Sequence, residues 1–303
     1  MKIKRLAIEF YICKMLNIGL IGNTEILQPY VKRIQKNKKI NIIGKSSVGS
    51  NDQLNSFHFS IPEFNRVELI ERADIILIDN SSLLPFRLLC DIVKKSKHIF
   101  TTEYLNLSIE ECSQLVKLAN EAGSVIQVSN PFYFIPAMLW LNENISSPSF
   151  IDVSHFPASP KIGNNTLLPL LLMFLDLTGI NPKKIGAVLF RSGQKESDFI
   201  NVRLEFGDAS VVNLNYGTIE SLNEFKIKAY SPNQFVTIDF VNKSFTCNNK
   251  AIDLTNYPPE SEFDIFIDTI INKTKIISSI EDYYFALRTI QKIDKKISQF
   301  SSL

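Results

Sequence analysis

The sequence predicts an α/β fold class: a doubly wound parallel sheet, followed by an α+β domain with an open, mainly antiparallel sheet. Three observations predict it. Short, mainly apolar runs alternate with helical patterns up to about Asn130. Beyond Pro131, apolar and polar residues alternate one by one in closely spaced runs. The opening apolar run ends in a glycine, and a helical pattern follows it directly.

The apolar runs of the first half are Leu16–Ile21, Ile40–Ile43, Ile75–Ile78, His98–Thr101 and Val125–Val128. Short, mainly apolar runs that alternate with helices suit parallel strands covered on both faces. Helical patterns fill Glu25–Gln35, Leu83–Lys94 and Ser108–Ala122. The last starts with a capping box, Ser108 with Glu111. Cys112, Leu115, Leu118, Ala119 and Ala122 then keep helical spacing, and Gly123 ends it.

In the second half, Ile200, Val202, Leu204 and Phe206 alternate with Asn201, Arg203 and Glu205. Gly207-Asp208 turns the chain, and Val212, Leu214 and Tyr216 alternate again. Phe225, Ile227 and Ala229, then Val236, Ile238 and Phe240, repeat the pattern. Such spacing predicts antiparallel strands. Leu167–Leu177 reads as a buried helix, too short and too charged near its end for a membrane span. Two helices close the chain. One carries the stripe Phe263, Phe266, Ile267, Ile270 and Ile271. The other is capped by Ser279 with Asp282 and shows Tyr283, Ala286, Leu287 and Ile290 on one face. The expected organisation is an N-terminal extension at 1–14, a dinucleotide-binding type of domain at 15–130, and an α+β domain for substrate and dimerisation at 131–303.

The 303 residues are 45% hydrophobic and 21% charged, which allows a sizeable core. A net charge of +2, with both signs interleaved, argues against a nucleic-acid partner. Four scattered cysteines and three scattered histidines form no metal-ligand spacing, so no metal is expected. The first 14 residues begin basic and turn apolar, but Glu9 interrupts them and no small-residue cleavage site follows. With the first strand beginning at Leu16, Met15 is read as the natural start and 1–14 as a short extra segment without function; no run is long and apolar enough for a membrane, and the expected location is cytoplasmic.

The run from Asn17 to Leu27 has the strand-turn-helix order of a Rossmann-type dinucleotide turn, whose fingerprint is G-x-G-x-x-G. Here the three glycine slots hold Gly22, Thr24 and Leu27. The amides of Asn23 and Thr24 still offer a helix N-terminus to an anion. After the second strand come Lys45, Ser46 and Ser47, with no acid to take a ribose diol. That trio suits the extra phosphate of NADP better than NAD. A polar surface loop is the plainer reading of the same residues.

Taken in order, these pieces resemble the Gfo/Idh/MocA family of NAD(P)-dependent sugar and cyclitol oxidoreductases. Arg72 to Ile78 resembles its third strand. Lys97-His98-Ile99 with Thr102-Glu103-Tyr104-Leu105 resembles its GKHV…EKP segment, and Asn130 to Pro136 resembles the entry to its second domain. The resemblance implies NAD or NADP as cofactor and a small sugar-like substrate. It also implies a homo-oligomer through the second-domain sheet, on the outward residues of Val212–Tyr216 and Phe225–Tyr230. Gly22, Asn23, Thr24, Ser46, Asn80 and Glu103 are the implied cofactor contacts. The family's EKP lysine falls on Tyr104 and its proline on Leu105. Its Asp…His pair falls on Asn165 and Pro169, and its "TP…H" slots fall on Asn80, Ser81 and Pro85.

Hydride transfer from a carbinol needs a group to take the hydroxyl proton. Tyr104 is the candidate catalytic residue left. A phenol titrates near 10, so it needs a neighbouring cation to serve. Packing at the strand end with its hydroxyl in water is the weightier reading. The aromatic run Phe132-Tyr133-Phe134 is either a sugar platform or core. The sequence thus predicts a dehydrogenase scaffold with activity weak or lost, in effect a pseudoenzyme. The alternative is a non-catalytic binding or regulatory protein of the same fold.

Overall fold

The computed structural model describes residues 15–46, 61–79, 84–158, 164–178, 181–191, 198–219, 222–257 and 261–300. The expected extension at 1–14 lies outside them, as do Ser47, Asn80 and Ser81. The chain divides into two compact units, Met1–Asn106 with Lys117–Ile126 and Leu107–Val116 with Gln127–Leu303.

The first unit begins with β1 (Leu16–Ile21), buried from Ile18 onward. Helix α1 (Thr24–Ile34) follows, capped by Asn23, whose side chain accepts the Glu25 amide at 2.8 Å. Leu27, in the third glycine slot, lies in α1 and is buried. Strand β2 (Ile40–Ser46) runs past the expected end at Ile43. Lys45 and Ser46 still pair with Leu20 and Ile21, and the Lys45 backbone also bonds Pro62 and Phe64 on its other side. Pairing on both edges outweighs the polar side chains.

Helix α2 (Arg66–Arg72) was not expected; Asn65 caps it by accepting the Glu68 amide. After β3 (Ile75–Ile78), helix α3 (Phe86–Lys94) starts later than the expected Leu83. Pro85 keeps the residue before it out of the helical region. Strand β4 (His98–Thr101) and helix α4 (Ile109–Ala122) come next. The capping box forms, with Ser108 and Glu111 bonding each other's amides at 2.9 and 3.1 Å. Gly123, at φ 64°, ends α4 with a left-handed turn. With β5 (Ile126–Val128) the sheet order is β2-β1-β3-β4-β5, and its β1, β2, β3 and β4 pairings are parallel. The order reverses between β1 and β3, the place where open parallel sheets leave a crevice at their carboxyl ends.

The second unit holds α5 (Pro136–Asn144), β6 (Phe150–Phe156), α6 (Asn164–Thr178), β7 (Lys184–Arg191), β8 (Asp198–Glu205), β9 (Val211–Thr218), β10 (Glu224–Ser231), β11 (Gln234–Asp239), β12 (Ser244–Cys247), β13 (Lys250–Ala251), α7 (Glu262–Asn272) and α8 (Ile280–Phe300). Its sheet order is β13-β12-β11-β10-β6-β9-β8-β7. β6 pairs β9 in parallel, and the other pairings are antiparallel. The expected alternation holds. Val202, Leu204, Val212, Leu214, Ile227 and Ala229 are buried on the inner face, where Leu171 and Phe174 of α6 and Ala286 of α8 meet Leu204, Val212 and Leu214. Ser279 and Asp282 cap α8 reciprocally. Among the described residues no helix is long and apolar enough to cross a membrane, and no group of His, Cys, Asp and Glu could hold a metal.

Candidate functional site

The carboxyl ends of β1, β2, β3 and β4 bring most of the candidate residues of the first unit to one edge. Gly22 follows β1 at φ 135°, a conformation that favours glycine. Its amide donates to the carbonyl of Ser46, the last residue of β2, at 3.4 Å. Ser46 is a buried strand residue and not the loop residue expected. A Cβ on Gly22 would lie 2.6 Å from the Asp79 carbonyl oxygen and 2.7 Å from the Asp79 Cβ. The turn therefore lies directly on Asp79.

Asp79 follows β3 and is fully buried. Its Oδ2 accepts the Asn23 amide at 3.2 Å, and its Oδ1 accepts the Thr102 hydroxyl at 2.8 Å. With the Asn23 side chain on the Glu25 amide, two of the first amides of α1 are met by acceptors from the chain itself. Thr24 is the first residue of α1; its side chain lies outside what is described. Asn80 lies outside the described residues.

Past β4, Thr101 turns its hydroxyl onto the Glu103 carbonyl at 2.8 Å, which shapes the segment carrying Glu103, Tyr104 and Leu105. Leu105 is core. Tyr104 and Glu103 are half-buried. Burial raises the Glu103 carboxyl above its ordinary value, and the charge of Asp79 raises it further. The edge is thus acidic, with Asp79 and Glu103 close enough to repel.

The second unit has its own candidates. Asn165 and Pro169 both lie in α6, and the Asn165 side chain lies outside what is described. Tyr133 and Phe134 are core, which settles two thirds of the aromatic run as packing. Phe132 is half-buried and packs on Phe225 and His155, with ring centroids 5.0 and 5.8 Å away. His155 lies in β6, its Nδ1 has no hydrogen-bond partner, and burial lowers its pKa. Such a ring stays neutral at pH 7. The outer face of the second sheet is polar in its middle. Asn201 donates to Asn213 and Asn215, which both donate to Asp152.

Sequence reasoning missed Asp79 and Thr102. The available signal was an acid placed immediately after a four-residue apolar strand, since a charge at that position must find partners.

No family model matches the chain, and no curated protein matches it in sequence. Solved structures do match. The UDP-N-acetylglucosamine 3-dehydrogenase GnnA of Acidithiobacillus ferrooxidans is 15% identical, covers 94% of this chain and 98% of its own, and superposes with a TM-score of 0.77. The WlbA dehydrogenase of Bordetella pertussis, solved with NADH and UDP-GlcNAcA, is 12% identical over 93% of this chain and 96% of its own, with a TM-score of 0.72. A biliverdin reductase of Synechocystis, solved with biliverdin and NADP+, is 14% identical over 94% of this chain and 100% of its own, with a TM-score of 0.69. At these identities the likeness is one of fold. With a parallel five-stranded sheet followed by a mainly antiparallel eight-stranded one, this chain has the fold of the Gfo/Idh/MocA-type oxidoreductases.

Proposed function

We propose that this chain is a dehydrogenase scaffold that has lost ordinary turnover and keeps a weak affinity for NAD or NADP at the strand ends of its first unit. The observation that carries the reading is the segment after β4. It offers Glu103, a half-buried Tyr104 and a core Leu105, where the resembling family places a lysine and a proline. A bound nicotinamide would supply hydride acceptance. Proton transfer at the substrate hydroxyl would then rest on the Tyr104 phenol, a weak base near neutral pH.

The first unit fits a dinucleotide in backbone and opposes it in charge. Gly22 makes the turn at the end of β1, while Asp79 and Glu103 present negative charge to a pyrophosphate. Relatives in fold act on, or were solved with, UDP-sugars, so a sugar nucleotide or related polyol is the substrate class to test. The test is NAD(P)H formation by purified protein with UDP-N-acetylhexosamines, UDP-hexuronates and free cyclitols. Turnover near the enzyme-typical range of about 1–10³ s⁻¹ would overturn the proposal. Appearance of activity in Tyr104→Lys would show that proton transfer is what was lost.

The second reading is a non-catalytic binding protein of the same fold. It is favoured by the Asn23 and Glu25 amides, at the start of α1, being met within the chain. It predicts no thermal stabilisation by either NADH or NADPH, since only a ligand of the native state raises apparent stability. Assembly through the second sheet goes with this second reading. Phe190, exposed at 62%, and the Phe150–Tyr230–Phe235 ring cluster flank the polar middle of the outer face. Sedimentation of purified protein checks it, and a monomer at micromolar concentration would remove it.

A further inference from the structure

We propose that the Asp79 carboxylate is the chain's own occupant of the anion position at the start of α1, and that it is the residue that sets nucleotide affinity. The inference rests on the dinucleotide reading above and deepens it.

The argument is one of place, occupancy and charge. Gly22 and Asp79 follow β1 and β3, the two neighbouring strands between which the sheet order reverses. A ligand of an open parallel sheet belongs beyond the carboxyl ends at that point. There the Asp79 carboxylate already holds the Asn23 amide, and the Thr102 hydroxyl fixes its other oxygen. A carboxylate beside the positive end of a helix is stabilised as a phosphate would be. The turn leaves no slack, because even a single Cβ on Gly22 would overlap the Asp79 backbone. A pyrophosphate taken at the Asn23 amide would compete with this carboxylate for it. It also meets like charge from Asp79 and from Glu103 beside it. Asparagine at 79 keeps the shape while removing the charge: its one oxygen accepts the Asn23 amide, and the Thr102 hydroxyl turns to accept its N–H. Serine keeps a small acceptor and frees space.

The experiment titrates NADH and NADPH into the wild-type chain and into Asp79→Asn, Asp79→Ser and Thr102→Val, following nicotinamide fluorescence. Thermal melts establish that each variant is folded, and the serine variant carries the test if the asparagine one is not. The proposal expects Asp79→Asn or Asp79→Ser to bind one nucleotide about tenfold or more tighter than wild type. Thr102→Val loosens the carboxylate but leaves its charge, and should stay within about threefold of wild type. Folded Asp79 variants that bind no tighter than wild type overturn the proposal. If all of them then bind at micromolar levels, the dinucleotide reading survives alone. If none binds, both fall.

Discussion

Asp79 in the first unit and Glu262 in the second perform the same local chemistry in opposite settings. Each carboxylate accepts one backbone amide and one hydroxyl: Asn23 and Thr102 for Asp79, Asn130 and Ser129 for Glu262. Each stands by the start of a helix, α1 for Asp79 and α7 for Glu262. Glu262 closes a loop after β5, where burial raises its carboxyl to about 6 against its two hydrogen bonds. Asp79 stands at the reversal of a parallel sheet, where this architecture otherwise receives ligands. By their hydrogen bonds alone both are structural pins. Position in the topology is what separates a pin from a group that also decides what may bind.

The comparison breaks first at Gly22. Gly22→Ala needs a left-handed backbone and puts a methyl 2.6 Å from the Asp79 carbonyl oxygen, so it should cost about 3 kcal/mol or more and often prevent folding. Urea unfolding measures it. A loss under about 1 kcal/mol would mean that the turn does not lie on Asp79, and the occupancy argument would go with it. Glu262→Ala should come next, at about 3 kcal/mol, because it strands the buried Asn130 amide and leaves the Ser129 hydroxyl unmatched. Unlike the Asp79 variants, it should leave nucleotide affinity unchanged. A change there would erase the distinction between pin and gate.

A pH series sharpens the same contrast. The Glu262 carboxyl is raised to about 6 in the folded chain, from an ordinary 4.5. The native state therefore binds more protons than the unfolded state between those values. Stability falls as pH rises through that window, by about 2 kcal/mol from this group. Glu262→Gln should remove that slope. The difference between wild type and variant isolates it from His98 and His155, whose burial-lowered values act in the opposite direction toward pH 6.5. Chemical denaturation at pH 4.5 to 7 is the measurement. Parallel pH curves for the two proteins would refute the burial account of Glu262.

The contrast also explains what the sequence could carry. Leu16–Ile21, Ile75–Ile78 and His98–Thr101 match the expected strands residue for residue, because short, mainly apolar runs are a local signal. The capping boxes at Ser108 and Ser279 were legible for the same reason. Helix α2 was not, since Arg66–Arg72 is mostly charged and buries only Leu69 and Ile70. The end of β2 at Ser46 was not either, because pairing with residues distant in sequence sets it. In the site, Gly22 and the cap at Asn23 follow from a motif. Asp79 meets partners 56 positions before it and 23 after it, and no local pattern carries that.

The smallest expected effect belongs to a third carboxylate, Asp152 on the outer face of the second sheet. Like the other two it accepts two donors, yet both are side-chain amides, from Asn213 and Asn215. These amides are half-buried and can turn to water when the acceptor changes, whereas the backbone amides of Asn23 and Asn130 cannot turn. Asp152→Asn should therefore shift stability by less than about 1 kcal/mol, since an asparagine oxygen still accepts one of the two donors. A loss as large as that of Glu262→Ala would make mobility of the donor irrelevant. The cost of removing a carboxylate would then follow from its hydrogen-bond count alone, and Asp79 would have no special standing among the three.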